Sequence, residues 1–410
     1  MNARHGSIDG LRGLAVMGIL LMNIAGFALP TGAYFNPLAA GGTAPADLAV
    51  WAVNFVLVDG KMRALFSILF GASMAIVVER AEAAGRNGGA THLARMATLA
   101  LFGVAHLVLI WQGDILLHYA LIGTLALPFV LLEPRALIRV AILLLLTQLV
   151  AEGMFVANFA AIRHAALAPG ATQAAVDAWQ GISATIGVGR PEDIAAVIAR
   201  MRGPWSGIAA DNLASLPTGI PFFIGFNGPE TLGYMLIGMA GLRSGFLTGA
   251  WERRRYLRWA AIGFAIGLPP AIALCWLCFH AGFDTLATFA AGTVGGVPFR
   301  PILALAEAAL ALAWLTARDR PRLRAAGRMA FSNYLGTSLL MTALFYGWGF
   351  GLFGRVERIW LYPIVAAVWA LMLLWSPWWL ARFRYGPFEW AWRSLARWEI
   401  QPMRAMRPIA

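Results

Sequence analysis

Long apolar runs alternate with short polar, arginine-bearing segments along almost the whole chain. The runs fall at 11–30, 48–80, 95–112, 114–132, 136–158, 217–243, 257–279, 300–317, 328–350 and 359–380. Each is close to or above the roughly 20 residues a helix needs to cross about 30 Å of hydrocarbon. Lipid offers the backbone no hydrogen-bond partner, so spanning segments must be helical, and strand-like alternation is absent. The pattern predicts an all-α polytopic membrane bundle of about ten transmembrane helices in a single domain, 1–410. The second run is too long for one straight crossing and carries Asp59, Lys61 and Arg63. It is expected to break near Gly60, with an outer segment before the break. The N-terminus has a basic flank before an apolar run longer than a signal-peptide core, so it reads as an uncleaved first span.

Composition agrees with this reading. The chain is 60% hydrophobic and 13% charged, whereas soluble domains are nearer half apolar and a quarter charged. The net charge of +12 does not indicate nucleic acid, because the basic residues form short clusters at helix ends instead of one accessible face. With the N-terminus in the cytoplasm and strict alternation of spans, 23 arginines fall on the inner side and 7 on the outer. This asymmetry follows the positive-inside rule and predicts that both termini are cytoplasmic. Cys275 and Cys278 lie in mid-span as Cys-Trp-Leu-Cys. They are expected to be buried thiols, not a redox or metal pair.

Two segments lie outside the spans. The loop 159–216 is extracytoplasmic, and in it Arg190-Pro191-Glu192-Asp193 opens the run IAAVIARM, predicting a short helix with acids in its first turn. Such a loop either connects or covers the outer mouth of the bundle. The tail 381–410, containing RFRYGPFEWAWRSLARW, is basic and Trp-rich and suits the cytoplasmic interface. The second and sixth runs, LFSILFGASMAIVVER and LGYMLIGMAGLRSG, have the same direction and a faint likeness.

Ionisable groups within the bilayer are costly and point by default to function. Arg12 and Asn23 are eleven residues apart, three helical turns or about 16 Å. Arg95 and His106 have the same spacing and direction, which places Asn23 and His106 at similar depth, each with an arginine beneath it. An imidazole there can act as a general base, or it can pack between helices with its ring bonded to a carbonyl. On a straight helix Asp114 would lie roughly 12 Å from His106, but Gly113 is placed to bend the chain. His118 reads as a packing histidine. Asp59, Lys61 and Arg63 either pair with one another or meet an anionic group. Glu230, Glu307, Ser332, Asn333, Tyr334 and Ser338 read first as interhelical hydrogen-bonding groups. No soluble-enzyme motif is present, and the histidines lack ligand spacing, so no metal is expected.

SIDGLRGLAVMGILLMNI, KMRALFSILFGASMAIVVERAE, GVAHLVLIWQGDILLHYALIG, GRMAFSNYLGTSLLMTALFYGWGFGLFGRV and RFRYGPFEWAWRSL each resemble the YeiB-like family of bacterial inner-membrane proteins, defined by domain of unknown function number 418. That family resembles the transmembrane acyltransferases, which include the acyltransferase-3 proteins and the lysosomal heparan-glucosaminide N-acetyltransferase. The resemblance implies transfer of an acyl group from coenzyme A, on the cytoplasmic side, to an acceptor across the membrane. The first-span pattern of those enzymes, Arg then His or Asn, reads here as Arg12 and Asn23. Where the lysosomal enzyme has a catalytic His about three turns on, this chain has Tyr34. The base must then come from elsewhere, and His106 is the replacement.

The expectation is therefore an acyl-CoA-dependent membrane acyltransferase of the bacterial inner membrane. His106 is its base, Asp114 supports it, and Asn23 stabilises the thioester oxygen. Arg12 and Arg95, with Lys61 and Arg63, bind the acyl-CoA phosphates. The expected partners are the bilayer, acyl-CoA and a glycan or lipid acceptor, with a homodimer left open. A transporter or flippase is the alternative, and a non-catalytic scaffold the third reading.

Overall fold

The structure is a computed structural model that describes residues 3–404, with side chains from residue 6. The Arg4 side chain and Arg407, both counted on the inner side, lie outside the described residues. The described residues form seventeen α-helices and no strand beyond one isolated bridge, Phe383 to Arg404. In chain order they are α1 (Ala3–Ala28), α2 (Gly32–Phe35), α3 (Pro45–Leu57), α4 (Lys61–Ala83), α5 (Gly88–Leu109), α6 (Leu116–Leu125), α7 (Pro134–Leu167), α8 (Gln173–Ile186) and α9 (Pro191–Met201). Then come α10 (Trp205–Arg243), α11 (Arg253–His280), α12 (Thr285–Gly292), α13 (Arg300–Leu315), α14 (Pro321–Arg328), α15 (Ala330–Phe345), α16 (Arg358–Leu380) and α17 (Pro387–Arg397).

Six segments are long and apolar enough to cross a membrane: α1, the α3–α4 pair, α5, α7, α11 and α16. The other four expected spans take different forms. The run 114–132 divides into the ten-residue α6 and a 3-10 turn, Leu127–Leu131, with Pro128 in its first turn. The run 217–243 is the later part of α10, a 39-residue helix with prolines at 217, 221 and 229. The runs 300–317 and 328–350 shrink to α13 and α15, of 16 residues each.

The break in the second run falls at Gly60, whose φ of 72° belongs to glycine's left-handed region. A side chain there would also collide with Arg300. From this break α4 runs back through the centre of the bundle. It is antiparallel to α1, as the Gly18–Met62 and Arg12–Ser73 contacts show. It is parallel to the later part of α10, where Arg63 pairs with Glu230 and Glu79 with Arg243. The two runs that look alike in sequence thus lie side by side. They touch through glycines: a Cβ on Gly71 would sit 2.0 Å from the Met235 carbonyl oxygen, and one on Gly238 1.8 Å from that of Ile68. Small residues allow such backbone approach where lipid supplies no hydrophobic drive to pack helices.

Helices α7, α11 and α16 form the periphery and turn large apolar side chains outward, among them Leu143, Leu146, Val150, Ile266, Ile272, Trp276, Trp360 and Leu374. In water such a surface would associate; against lipid it is the ordinary solution, and the fold is that of a helical membrane protein. Cys275 and Cys278 are buried and unlinked. In the segment 159–216 the helix-free stretches are short, because α7 continues to Leu167 and α8 and α9 follow. The run IAAVIARM forms α9, with Arg190 bridging to Asp193 in its first turn.

Candidate functional site

A cavity of about 970 Å³ opens in the half of the bundle that holds the start of α4 and the end of α1. Asn23 and Gly26 of α1, Tyr34 of α2, Asp59 and Arg63 at the break, and Asp114 of the α5–α6 turn line it. His118, Glu152, Asn227, Thr288 and Arg300 complete its polar wall. Phe155, Phe159, Phe222, Phe223 and Phe226 form its apolar wall where α7 meets α10. Asp177, Ala178, Gly181, Ile182, Thr185 and Ile186 of α8 also line the space. Outside the spans, Asp284 ties α12 to the end of α7: it caps α12 through the Ala287 N–H and pairs with Arg163, which lies over Trp179 of α8, 5.6 Å from the ring. Burial opposes ionisation of Asp284, but the Ala287 amide and the Arg163 guanidinium prevail and hold its carboxyl below the usual range.

In the wall of the cavity four helices contribute one buried ion network. Glu230 of α10 accepts from Arg63, from Arg300 at 2.9 Å and from Tyr234 at 2.6 Å. Arg300 also faces Glu152 at 3.7 Å and donates to the Thr293 carbonyl at 3.1 Å. Gln148 joins Glu152 at 3.0 Å to the Glu230 backbone. The charges of 59–63 do not pair among themselves. Asp59 accepts from Tyr34 at 2.8 Å, Lys61 donates to the Phe55 carbonyl at 2.6 Å, and Arg63 turns to Glu230.

At the cavity edge the chain leaves α5 at Leu109, turns through 110–115 and re-enters a helix at Leu116. The turn carries Asp114 back, so its Oδ1 lies 2.8 Å from His106 Nδ1 while Oδ2 accepts the Leu117 N–H. The separation that a straight helix imposes is removed. His106 is 1% exposed, and its Nε2 has no partner. Trp111 stands edge-on to its ring and stacks on Phe27 at 3.9 Å. Asn23 lies one turn before Phe27 on the same face of α1, and it lines the cavity together with Asp114.

The opposite end of the bundle is rich in arginine. Arg12 pairs with Asp9 and donates to Ser73, both at 3.0 Å. Arg95 lies over Trp392 of α17, 4.1 Å from the ring, and Trp392 donates to the Arg95 carbonyl at 2.9 Å. Arg393 covers Tyr385. Burial, with Arg397 and Arg12 near it, draws Arg393 below the usual guanidinium range. Glu389 is spent on α15, accepting the Phe331 and Ser332 amides; burial raises its carboxyl above the usual range despite these bonds. The cluster has few counter-charges.

The structure therefore pairs His106 with Asp114, lines one cavity with Asp114 and Asn23, and brings Arg12 and Arg95 to one end. It corrects the grouping of Lys61 and Arg63 with those arginines. Both lie at the start of α4, while Arg12 meets Ser73 three turns further along it, so one anionic group cannot span them all. Arg63 lines the cavity; Lys61 faces a smaller adjoining pocket. Arg300 and Glu152 are not legible in the sequence because each lies near a helix start or within an apolar run, with its partners on other helices. Arg393 and Arg397 are visible there only as a basic interfacial tail.

Comparison with known proteins places the chain. It is 32% identical to the Escherichia coli (strain K12) protein YeiB over 96% of both chains. The chain belongs to the YeiB family. It is also 32% identical to YxaH of Bacillus subtilis (strain 168), over 98% of this chain and 96% of that one. A third relative, from Bacillus acidopullulyticus, is 26% identical over 96% of this chain and 94% of its own. The family profile described as "Protein of unknown function (DUF418)" matches residues 242–399, which include Arg300, Tyr334 and the whole of α17. No solved structure matches the chain.

Proposed function

We propose that this YeiB-family chain is a membrane-embedded acyltransferase. In this reading the arginine-rich end is cytoplasmic and carries both termini, and ten segments cross the bacterial inner membrane. Acyl-CoA rests its phosphates among Arg12, Arg95, Arg393 and Arg397, where weakly compensated positive charge favours an anion. The thioester then reaches inward along α1 and α5. From Arg95 to His106 is about 16 Å along the helix, comparable to an extended pantetheine arm.

The observation that carries the reading is the buried His106–Asp114 pair at the cavity edge with one imidazole nitrogen free. Asp114 fixes the proton on Nδ1 and leaves Nε2 as the acceptor. Nε2 takes the proton of an acceptor hydroxyl or amine entering through the cavity. The acceptor heteroatom bonds to the acyl carbon as the carbon–sulfur bond breaks, and the proton passes from Nε2 to the departing thiolate. An amide N–H of Asn23 stabilises the charge that develops on the carbonyl oxygen. A glycan or lipid headgroup matches the cavity's mixture of carboxylate, amide and guanidinium groups with phenylalanine walls.

The test is purified protein with labelled acyl-CoA and an acceptor mixture. Transfer by the wild type that is lost in His106→Ala supports the reading; undiminished transfer by His106→Ala removes it. One observation favours transport as a second reading: the ion network surrounds a cavity built on a broken helix and a proline-interrupted one. Thioester consumption distinguishes the two, since a transporter leaves acyl-CoA intact.

A further inference from the structure

His106 Nε2 is not the only free polar atom in the packed core around the His106–Asp114 pair. The Tyr334 hydroxyl on α15 is also buried without a hydrogen-bond partner, and the Tyr334 and His106 rings are 5.3 Å apart. Buried polar atoms without partners are uncommon in native structures and call for an explanation. Other buried tyrosines have one: Tyr119 meets Ser67, Tyr234 donates to Glu230 and Tyr256 to the Phe246 carbonyl, and the half-buried Tyr34 donates to Asp59. Tyr346 shares the lack of a partner, but among the described residues its aromatic neighbour is Phe353, with no titratable ring beside it.

The position of Tyr334 is specific. It lies one turn from the start of α15, which Glu389 of α17 caps. It is therefore on the side of His106 nearer the arginine-rich end. An imidazole bound to Asp114 through Nδ1 directs Nε2 away from Asp114. A free acceptor and a free donor thus occur on packed rings between the donor-substrate end and the cavity.

We propose that Tyr334 is a catalytic residue that donates a hydrogen bond to the carbonyl oxygen of the bound acyl thioester. The assignment rests on the acyl-transfer reading and adds a second donor to Asn23. The hydroxyl keeps its proton throughout. Its hydrogen bond shortens as negative charge gathers on the oxygen, while His106 alone moves the acceptor's proton to sulfur. Such a donor acts mainly on the transition state and affects ground-state binding little.

The test uses the full-length protein in lipid nanodiscs, comparing wild type, Tyr334→Phe and His106→Ala with acyl-CoA labelled by carbon-13 at the thioester carbonyl. Tyr334→Phe is expected to lower kcat by about 100-fold, the scale of losing one oxyanion donor, with KM for acyl-CoA changed less than about threefold. In the infrared, the bound carbonyl stretch in non-reacting His106→Ala is expected at lower frequency than in the His106→Ala, Tyr334→Phe double variant. A purely structural role would move neither kcat selectively nor the carbonyl stretch. If the wild type transfers acyl groups and Tyr334→Phe matches it with an unshifted carbonyl, Tyr334 has no such role and the transfer reading stands. If the wild type does not consume acyl-CoA, both fall.

Discussion

Arg63 and Glu230 join the two look-alike runs of the chain, and they do so in the interior of the bundle, at the cavity wall. Glu230 is fully buried and holds Arg63 and Arg300 together. Removing its charge leaves two buried guanidinium groups without their shared partner. Glu230→Gln is expected to destabilise the fold by about 3–5 kcal/mol, the usual cost of breaking a buried pair. Thermal unfolding in detergent measures this, and Arg63→Met combined with Glu230→Gln should cost less than the two single changes added together.

The same helix pair supplies a packing contrast. Gly71→Ala and Gly238→Ala insert a methyl group against a backbone carbonyl, and each should lower the melting temperature, by about 1–3 kcal/mol of overpacking. At Gly219 of α10 an added Cβ would meet nothing within 4 Å. Gly219→Ala should be neutral or stabilising by up to about 1 kcal/mol, the helix-propensity gain. Equal losses at all three sites would contradict close α4–α10 contact.

Much of the fold is legible in the sequence. The break at Gly60 follows from run length and charges, and the α9 start from its acids and proline. The parallel course of α4 and α10 follows from counting spans. Hydropathy misjudges the run 114–132, because it weighs side chains and is blind to where Pro128 ends regular α-helix. The His106–Asp114 contact depends on the path of a six-residue turn, which local pattern does not specify. The ion network is hidden for another reason: Glu152, Glu230 and Arg300 are isolated polar residues in their own segments, and only tertiary packing makes them one group.

In the proposed transfer, Asp114 holds the tautomer of His106. Asp114→Asn preserves shape but presents an amide that favours the other proton position, so acyl transfer should fall by about 100-fold or more while acyl-CoA binding persists. Calorimetric titration of coenzyme A alongside steady-state rates separates the two effects. Equal activity in Asp114→Asn would remove the pair from the chemistry.

The junction of α12, the end of α7 and α8 beside the cavity should loosen in acid. The Asp284 carboxyl is held below its unfolded value, so its contribution is complete above the ordinary aspartate range, near pH 3.9. That contribution is lost as pH falls through the depressed folded value. Hydrogen exchange at α12 and α8, corrected for the intrinsic effect of pH, should therefore rise below about pH 4 in the wild type. In Asp284→Asn it should already be faster at neutral pH and change little on acidification.

The central claim is that thioester enters at the arginine-rich end and is consumed at His106. Sealed proteoliposomes with the protein in one defined orientation test it most directly, by release of free coenzyme A thiol when acyl-CoA is added to one side only. Thiol release is expected only with acyl-CoA on the side of Arg12 and Arg95, and not with His106→Ala. Release from the opposite side alone, or unchanged release by His106→Ala, would contradict the account.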